Sequence, residues 1–420
     1  MSSFKKSKLF FPLVFILLLL LQHSCSDRSE FGKASDYEKY GATATATATG
    51  SSTIKGAVLT SSGSVLSGVS VSYASGTSTY STTTDSSGLF TQSSLATGTY
   101  TLSYSKSGYW NDTQYATLET DGETIELLTL RMLSKSRCSS STGDISGTIT
   151  SALSSSAKIG GATIKAYRGL WFKRGLEYCI NNNNYCSVVK TATTPNNGTY
   201  TLSDMPTGYY TFWISASGYI SSTYWAVSCG DKTGRNKALS PTLPSNSMRI
   251  ILSWEETTPV TGTDLDSHLT GPDNVSGRFH IYYGDEKYFY FTDDDTCSSC
   301  SISEKLDNVT LNRDEKVSTG APPGIETITI GNVKSSGTYR YSVHDYSNGV
   351  TRSLTNSDNL SISGASVSVD YNDGSTTTSK TYGVPTNKIG TLWEVFTFTT
   401  SGGFVKEKNM TNEATEGNIQ

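Results

Sequence analysis

Glycines stand ten residues apart at 88, 98 and 108, and the same spacing returns at 198, 208 and 218, a constant shift of 110. A register kept over that distance marks two copies of one structural unit. Between these glycines the chain alternates. Tyr100, Leu102 and Tyr104 are large, while Thr99, Thr101 and Ser103 are small and polar, the period of two expected of a half-buried strand. Strands of about five to seven residues, each closed by a turn glycine, predict a small antiparallel β-sandwich for each copy.

Composition supports an all-β chain. Of 420 residues, 66 are Ser and 59 are Thr, while charged residues make up only 17%. Aromatic residues at 11% argue against a disordered chain, which has few. The length suits two to four domains at ~100–200 residues each. A net charge of −4 with no basic patch excludes nucleic acid as a partner, because nothing could replace counterions along a phosphate backbone.

The first copy contains Ile54-Lys55-Gly56, Gly68-Val69-Ser70-Val71, Thr84-Asp85-Ser86-Ser87-Gly88-Leu89-Phe90, Gly98-Thr99-Tyr100 and Gly108-Tyr109. These strings resemble the carboxypeptidase-regulatory-like family, related to transthyretin-like and Cna-B-like sandwiches. The resemblance implies accessory sandwiches without catalytic residues over 53–135 and 144–244. The second copy replaces the aspartate turn by Pro195-Asn196-Asn197-Gly198 and inserts a loop holding Cys179, Cys186 and Asn181 to Asn184. Some related sandwiches carry Lys–Asn isopeptide bonds. The last strand, Ile125 to Leu133, supplies no Asn for Lys55, and Ser146 takes the place of Lys55 in the second copy, so no such bond is expected.

Lys5, Lys6 and Lys8 precede an apolar run from Leu9 to Leu21, the arrangement of a secretory signal over residues 1–24. As a helix that run would reach about 20 Å, short of a ~30 Å hydrocarbon core. Ser24-Cys25 resembles the lipobox of bacterial lipoproteins, which implies that Cys25 carries the lipid and that the partner there is a membrane. The outer membrane is favoured, because the sorting signal that retains such lipoproteins inside usually places Asp directly after the cysteine, where this chain has Ser26. Residues 25–52, ending in Ala-Thr alternation, read as a flexible tether. Six further cysteines remain, an even number that suits disulfides in an oxidising compartment. Proximity pairs Cys179 with Cys186 and Cys297 with Cys300 and leaves Cys138 with Cys229, among fifteen connectivities that six cysteines allow.

A third unit, 247–405, holds Asp264-Leu265-Asp266-Ser267-His268-Leu269, Phe279-His280-Ile281-Tyr282 and Tyr339-Arg340-Tyr341-Ser342-Val343-His344-Asp345. It resembles the YfaP-like family of exported bacterial domains and reads as a larger sandwich, followed by a disordered tail at 406–420. Alternation puts Asp264, Asp266 and His268 on the face opposite Leu265 and Leu269, and His344 opposite Val343. If their strands are neighbours, Asp264, Asp266, His268, His280 and His344 could surround a divalent cation, zinc fitting better than calcium where imidazoles dominate. The competing reading is ordinary cross-strand hydrogen bonding, and it is the favoured one.

Asp293-Asp294-Asp295 before Cys297 and Cys300 suits a disulfide-closed hairpin better than a zinc knuckle, since a second ligand pair is missing nearby. The chain has no G-x-S-x-G, H-E-x-x-H or P-loop. Trp110, Trp213 and Trp225 are candidates for a platform stacking on sugar rings, although aromatic side chains in such strands more commonly pack in the core. The sequence thus describes tandem antiparallel β-sandwiches in a lipid-anchored, non-enzymatic spacer that presents its last domain to a glycan or protein ligand. A carbohydrate-binding protein and a metal-dependent hydrolase are the alternatives.

Overall fold

The computed structural model describes residues 50–171, 176, 188–254, 264–290, 308–316, 324–349, 357–385, 388–407 and 409–419. Cys25, the residues read as a signal, residues 25–49 of the expected tether, Cys179, Cys186, Asp293 to Asp295, Cys297 and Cys300 lie outside these residues; Ser52, expected in the tether, is buried and opens the first strand. Among the described residues no helix is long and apolar enough to cross a membrane. The fold is all-β, in three sandwiches.

In the first sandwich, Ser52–Thr60 pairs with Leu89–Leu95 antiparallel and with Thr124–Glu126 and Leu130–Met132 parallel. The facing sheet runs Asp112–Leu118, Gly98–Ser105, Ser70–Ser75, Ser78–Thr83. Alternate residues close the core: Val71, Tyr73, Tyr100, Leu102 and Tyr104 are all buried, and Phe90 meets Tyr104 edge to face. Lys55 stands opposite Glu126 and forms an ion pair with it at 3.6 Å.

The second sandwich repeats this plan. One sheet holds Ser154–Lys158, Thr142–Ser151, Thr199–Pro206 and Lys237–Leu239, and the other Val188–Thr193, Thr163–Arg168, Gly208–Ser215 and Ser222–Ser228. The glycine register is a register of backbone conformation. Gly88 and Gly198 have φ of 72° and 73°, and at both a Cβ would stand 2.6 Å from a first-strand carbonyl oxygen, Val58 or Ile149. Only glycine fits there. Two anchors follow the same shift of 110. The Thr84 hydroxyl accepts Val69 N–H and donates to Leu66 O, and the Thr194 hydroxyl accepts Ala162 N–H and donates to Ile159 O. Tyr100 Oη donates to Ala96 O, and Tyr210 Oη to Pro206 O.

The two copies are joined along an edge. Leu170–Trp171, from the second copy, pairs parallel with Asp112–Leu118 and extends the first copy's sheet. Gly169 permits this approach: at φ 84° a Cβ would lie 2.5 Å from Thr113 O. A disulfide between Cys138 and Cys229 closes the same junction. Arg168 donates to Asn111 O at 3.1 Å and Thr207 O at 3.0 Å, one from each copy, and reaches Asp112 at 4.0 Å.

Asp112 is 3% exposed and accepts Tyr209 N–H at 3.0 Å. Burial pushes its carboxyl up to about 6, against the pull of Arg168. A carboxyl raised on folding binds its proton more tightly in the native state, so its contribution to stability falls as pH rises from about 4 to about 6. The expected fall is roughly 3 kcal/mol at 1.36 kcal/mol per unit. Urea unfolding of wild type against Asp112→Asn at pH 4 and pH 7 checks it: the difference between the two proteins should carry this slope. Parallel pH profiles would refute the assignment.

The third sandwich stacks Lys287–Tyr288, Val309–Arg313, Ile325–Ile330, Ser247–Ser253, Ser366–Asn372 and Thr377–Gly383 against Arg278–Ile281, Leu265–Pro272, Tyr339–Asp345, Leu392–Thr399 and Gly403–Lys406. It joins the second sandwich through a small apolar cluster of Ala152, Ala238, Ile251 and Ile325 and through Arg249, which donates to Ser240 Oγ and Pro241 O, both at 2.9 Å. The expectation of a disordered tail at 406–420 is corrected. Met410–Thr411 pairs with Leu392–Thr399, Glu416–Asn418 forms a 3₁₀ turn, and Ile419 is buried. A polar composition conceals this because backbone groups hold the tail: Thr391 N–H donates to Thr411 O and Glu394 N–H to Asn409 O.

Candidate functional site

Leu265–Pro272 is buried over nearly its whole length, so both its faces are covered. Leu265 and Leu269 point into the core. Asp266, His268 and Thr270 point the other way. In the sheet, Asp266 stands opposite His344 and Thr270 opposite His280, which places the three imidazoles on one outer face. The expected condition, that their strands be neighbours, is met.

This face is not open. His268 is 1% exposed, His344 0% and Asp266 4%. The Tyr282 ring stacks on His280 at 4.6 Å and on His268 at 5.5 Å. From the tail, the Glu413 carbonyl stands 2.9 Å from His344 Nε2, and Glu413 is tied back through Thr391, whose hydroxyl donates to that carbonyl at 2.9 Å. His268 Nδ1 lies 2.9 Å from His280 Nε2. One ring nitrogen each from His268 and His344 and one oxygen of Asp266 lie within 4.8 Å of one another. Asp264 and His280 are not in that set. Asp264 acts on it through charge, and His280 acts as the hydrogen-bond partner of His268.

Burial controls the protonation. It raises the Asp266 carboxyl to about 8, helped by the charges of Asp264, Asp314 and Glu416. It holds His268 well below the usual imidazole range, with the charges of His280 and His344 adding to the effect, and lowers His344 and His280 as well. Neutral imidazoles keep a lone pair each, as metal ligation requires. Asp266 also meets Asp314 and Glu326 within 4.8 Å, and burial pushes the Glu326 carboxyl well up. Sequence reasoning missed Tyr282, Glu326, Asp314 and Glu413. The first closes the marked string Phe279 to Tyr282 that carries His280, but nothing local connects the other three to the histidines.

The tryptophan platform is corrected. Trp213 and Trp225 do share an outer sheet face, since Thr211 pairs with Trp225 and Trp213 with Thr223. That face is covered. Trp225 packs on the first sandwich's core cluster, and a Cβ on Gly383 would come within 2.8 Å of its ring. Trp213 packs against Tyr167 and Trp171, with Lys165 Nζ 5.6 Å from its ring. Trp110 is apart from both. Its Nε1 donates to Cys138 O at 2.7 Å, and its ring lines a cleft of about 450 Å³ with Tyr109, Asn111, Lys135, Arg168 and Tyr210. Strand alternation assigns a residue to a face without saying what packs on it.

Residues 53–132 match the carboxypeptidase regulatory-like domain family. No curated protein matches the chain. Among solved structures it is similar to the TIE protein of Bacillus anthracis, at 14% identity and a TM-score of 0.19, over 70% of this chain and 45% of that one. It is also similar to the shaft pilin SpaA of Lactobacillus rhamnosus GG, at 15% identity and a TM-score of 0.18, over 46% and 99%. The minor pilin GBS52 of Streptococcus agalactiae aligns at 13% identity and 0.18, over 46% and 100%. The chain spans about half the length of the first of these proteins.

Proposed function

We propose that this chain is an exported, lipid-anchored and non-enzymatic envelope protein, in which two small sandwiches form a stiff spacer and the third is presented for binding. The observation that carries the reading is the junction between the copies. A shared sheet edge, a disulfide and the Arg168 clasp hold the two sandwiches as one body, which suits a spacer more than a hinge. The family matched by 53–132 supports a structural role for the first of them. The short apolar run and Ser24-Cys25 support export and lipidation at Cys25, with the outer membrane as the favoured site.

Labelled palmitate tests the anchor. In a bacterial host the wild-type chain should incorporate label and sediment with membranes, and Cys25→Ser should lose the label and move to the soluble fraction. Equal labelling of both proteins would overturn it. A second reading, glycan binding, is favoured by the cleft where Tyr109 and Trp110 meet Asn111 and Arg168. Flat aromatic faces beside polar side chains are what sugar rings pack against. A glycan array probed with wild type and Trp110→Ala separates the readings: signal lost in the variant supports sugar recognition, and no signal with either protein leaves the spacer alone.

A further inference from the structure

Among the described residues, three buried polar side-chain atoms on the outer face of the third sandwich have no hydrogen-bond partner: His268 Nε2, His344 Nδ1 and Asp266 Oδ2. The other nitrogen of each imidazole is engaged. The Glu413 carbonyl can only accept, so His344 carries its proton on Nε2 and keeps a lone pair on Nδ1. If His268 donates from Nδ1 to His280 Nε2, its own Nε2 is likewise a lone pair. In that tautomer three acceptors gather where no donor among the described residues reaches them. A proton on Asp266 would satisfy one of them, but a cation would satisfy all three.

We propose that Asp266, His268 and His344 are the protein ligands of one divalent transition-metal ion, with zinc as the metal best suited to two imidazoles and a carboxylate. His280 and the Glu413 carbonyl are the outer partners that fix ring orientation, the arrangement that metal-bound histidines commonly have. Gly349 belongs to the same design, because a Cβ there would stand 2.6 Å from His344 Nε2 and 2.8 Å from Glu413 O. Three protein ligands leave one tetrahedral position for a water. Since the tail supplies Glu413, the ion also fastens residues 410–419 to the sheet, a structural role independent of how the chain is anchored.

The test uses the full mature chain without an affinity tag, stripped with a chelator and titrated with Zn²⁺ or Co²⁺ alone. The expected result is one zinc per chain by elemental analysis after desalting, with a higher thermal midpoint. Asp266→Asn and His268→Gln should lose the bound zinc, and His280→Gln should weaken it about ten- to a hundredfold, as loss of an outer partner does. If the ligand variants fail to fold, the wild-type cobalt spectrum decides: imidazole and carboxylate bands support the site, and thiolate charge-transfer bands point to the cysteines and overturn it. Folded wild-type protein that takes up neither metal, or folded ligand variants that keep the zinc, would overturn it equally.

Discussion

Replacing Cys138 and Cys229 together by serine is expected to lower the unfolding free energy by about 4–5 kcal/mol, the chain-entropy value for a loop of this size. The two cysteines are 91 residues apart, and the loop between them contains almost all of the second sandwich. An open chain gains the freedom that the bond removes from the unfolded state, and the gain grows with loop length. Urea unfolding of the double variant, compared with wild type under oxidising conditions, measures the loss. Using the variant rather than a reductant keeps Cys179, Cys186, Cys297 and Cys300 out of the comparison. An unchanged midpoint would mean that the junction holds without the bond.

Phe396→Ala is the second large effect expected. Phe396 is 1% exposed and sits where the two sheets of the third sandwich meet. It stacks on Tyr341 of the neighbouring strand at 5.5 Å and on Tyr382 of the facing sheet at 5.4 Å, and meets Phe404 edge to face at 5.3 Å. Truncation removes the ring from all three and leaves a cavity between rigid neighbours. The expected loss is about 3–5 kcal/mol, typical of a buried Phe→Ala change. Phe396→Leu, which fills most of the space, should lose clearly less. Guanidinium unfolding followed by circular dichroism reads both. Equal losses in the two variants would show that the ring contacts, not the volume, carry the packing.

Much of the architecture was legible in the chain. Spacing of ten residues marked Gly88 and Gly198, and both adopt nearly the same left-handed conformation against a first-strand carbonyl. Parity put Tyr100, Leu102 and Tyr104 in a core, and put Asp266, His268 and His344 off the apolar face of theirs. Both signals are local: a turn's φ and a strand's period of two are set within a few residues and leave their mark in side-chain type. The matched anchors Thr84 and Thr194 obey the same shift of 110 but are single residues in a chain rich in threonine, so their pattern becomes visible only when the hydrogen bonds are seen.

What covers each face was decided only by the tertiary structure. The tail over His344, the sandwich packed on Trp225 and the edge strand Leu170–Trp171 are placed largely by backbone hydrogen bonds and by contacts between residues far apart in the chain. Every residue has the same amide group whatever its side chain, so pairing of this kind leaves almost no trace in residue type. The sequence therefore specified the strands, their turns and their inward sides. Three-dimensional packing decided which outward sides became interfaces, and it turned a row of surface histidines into a buried cluster.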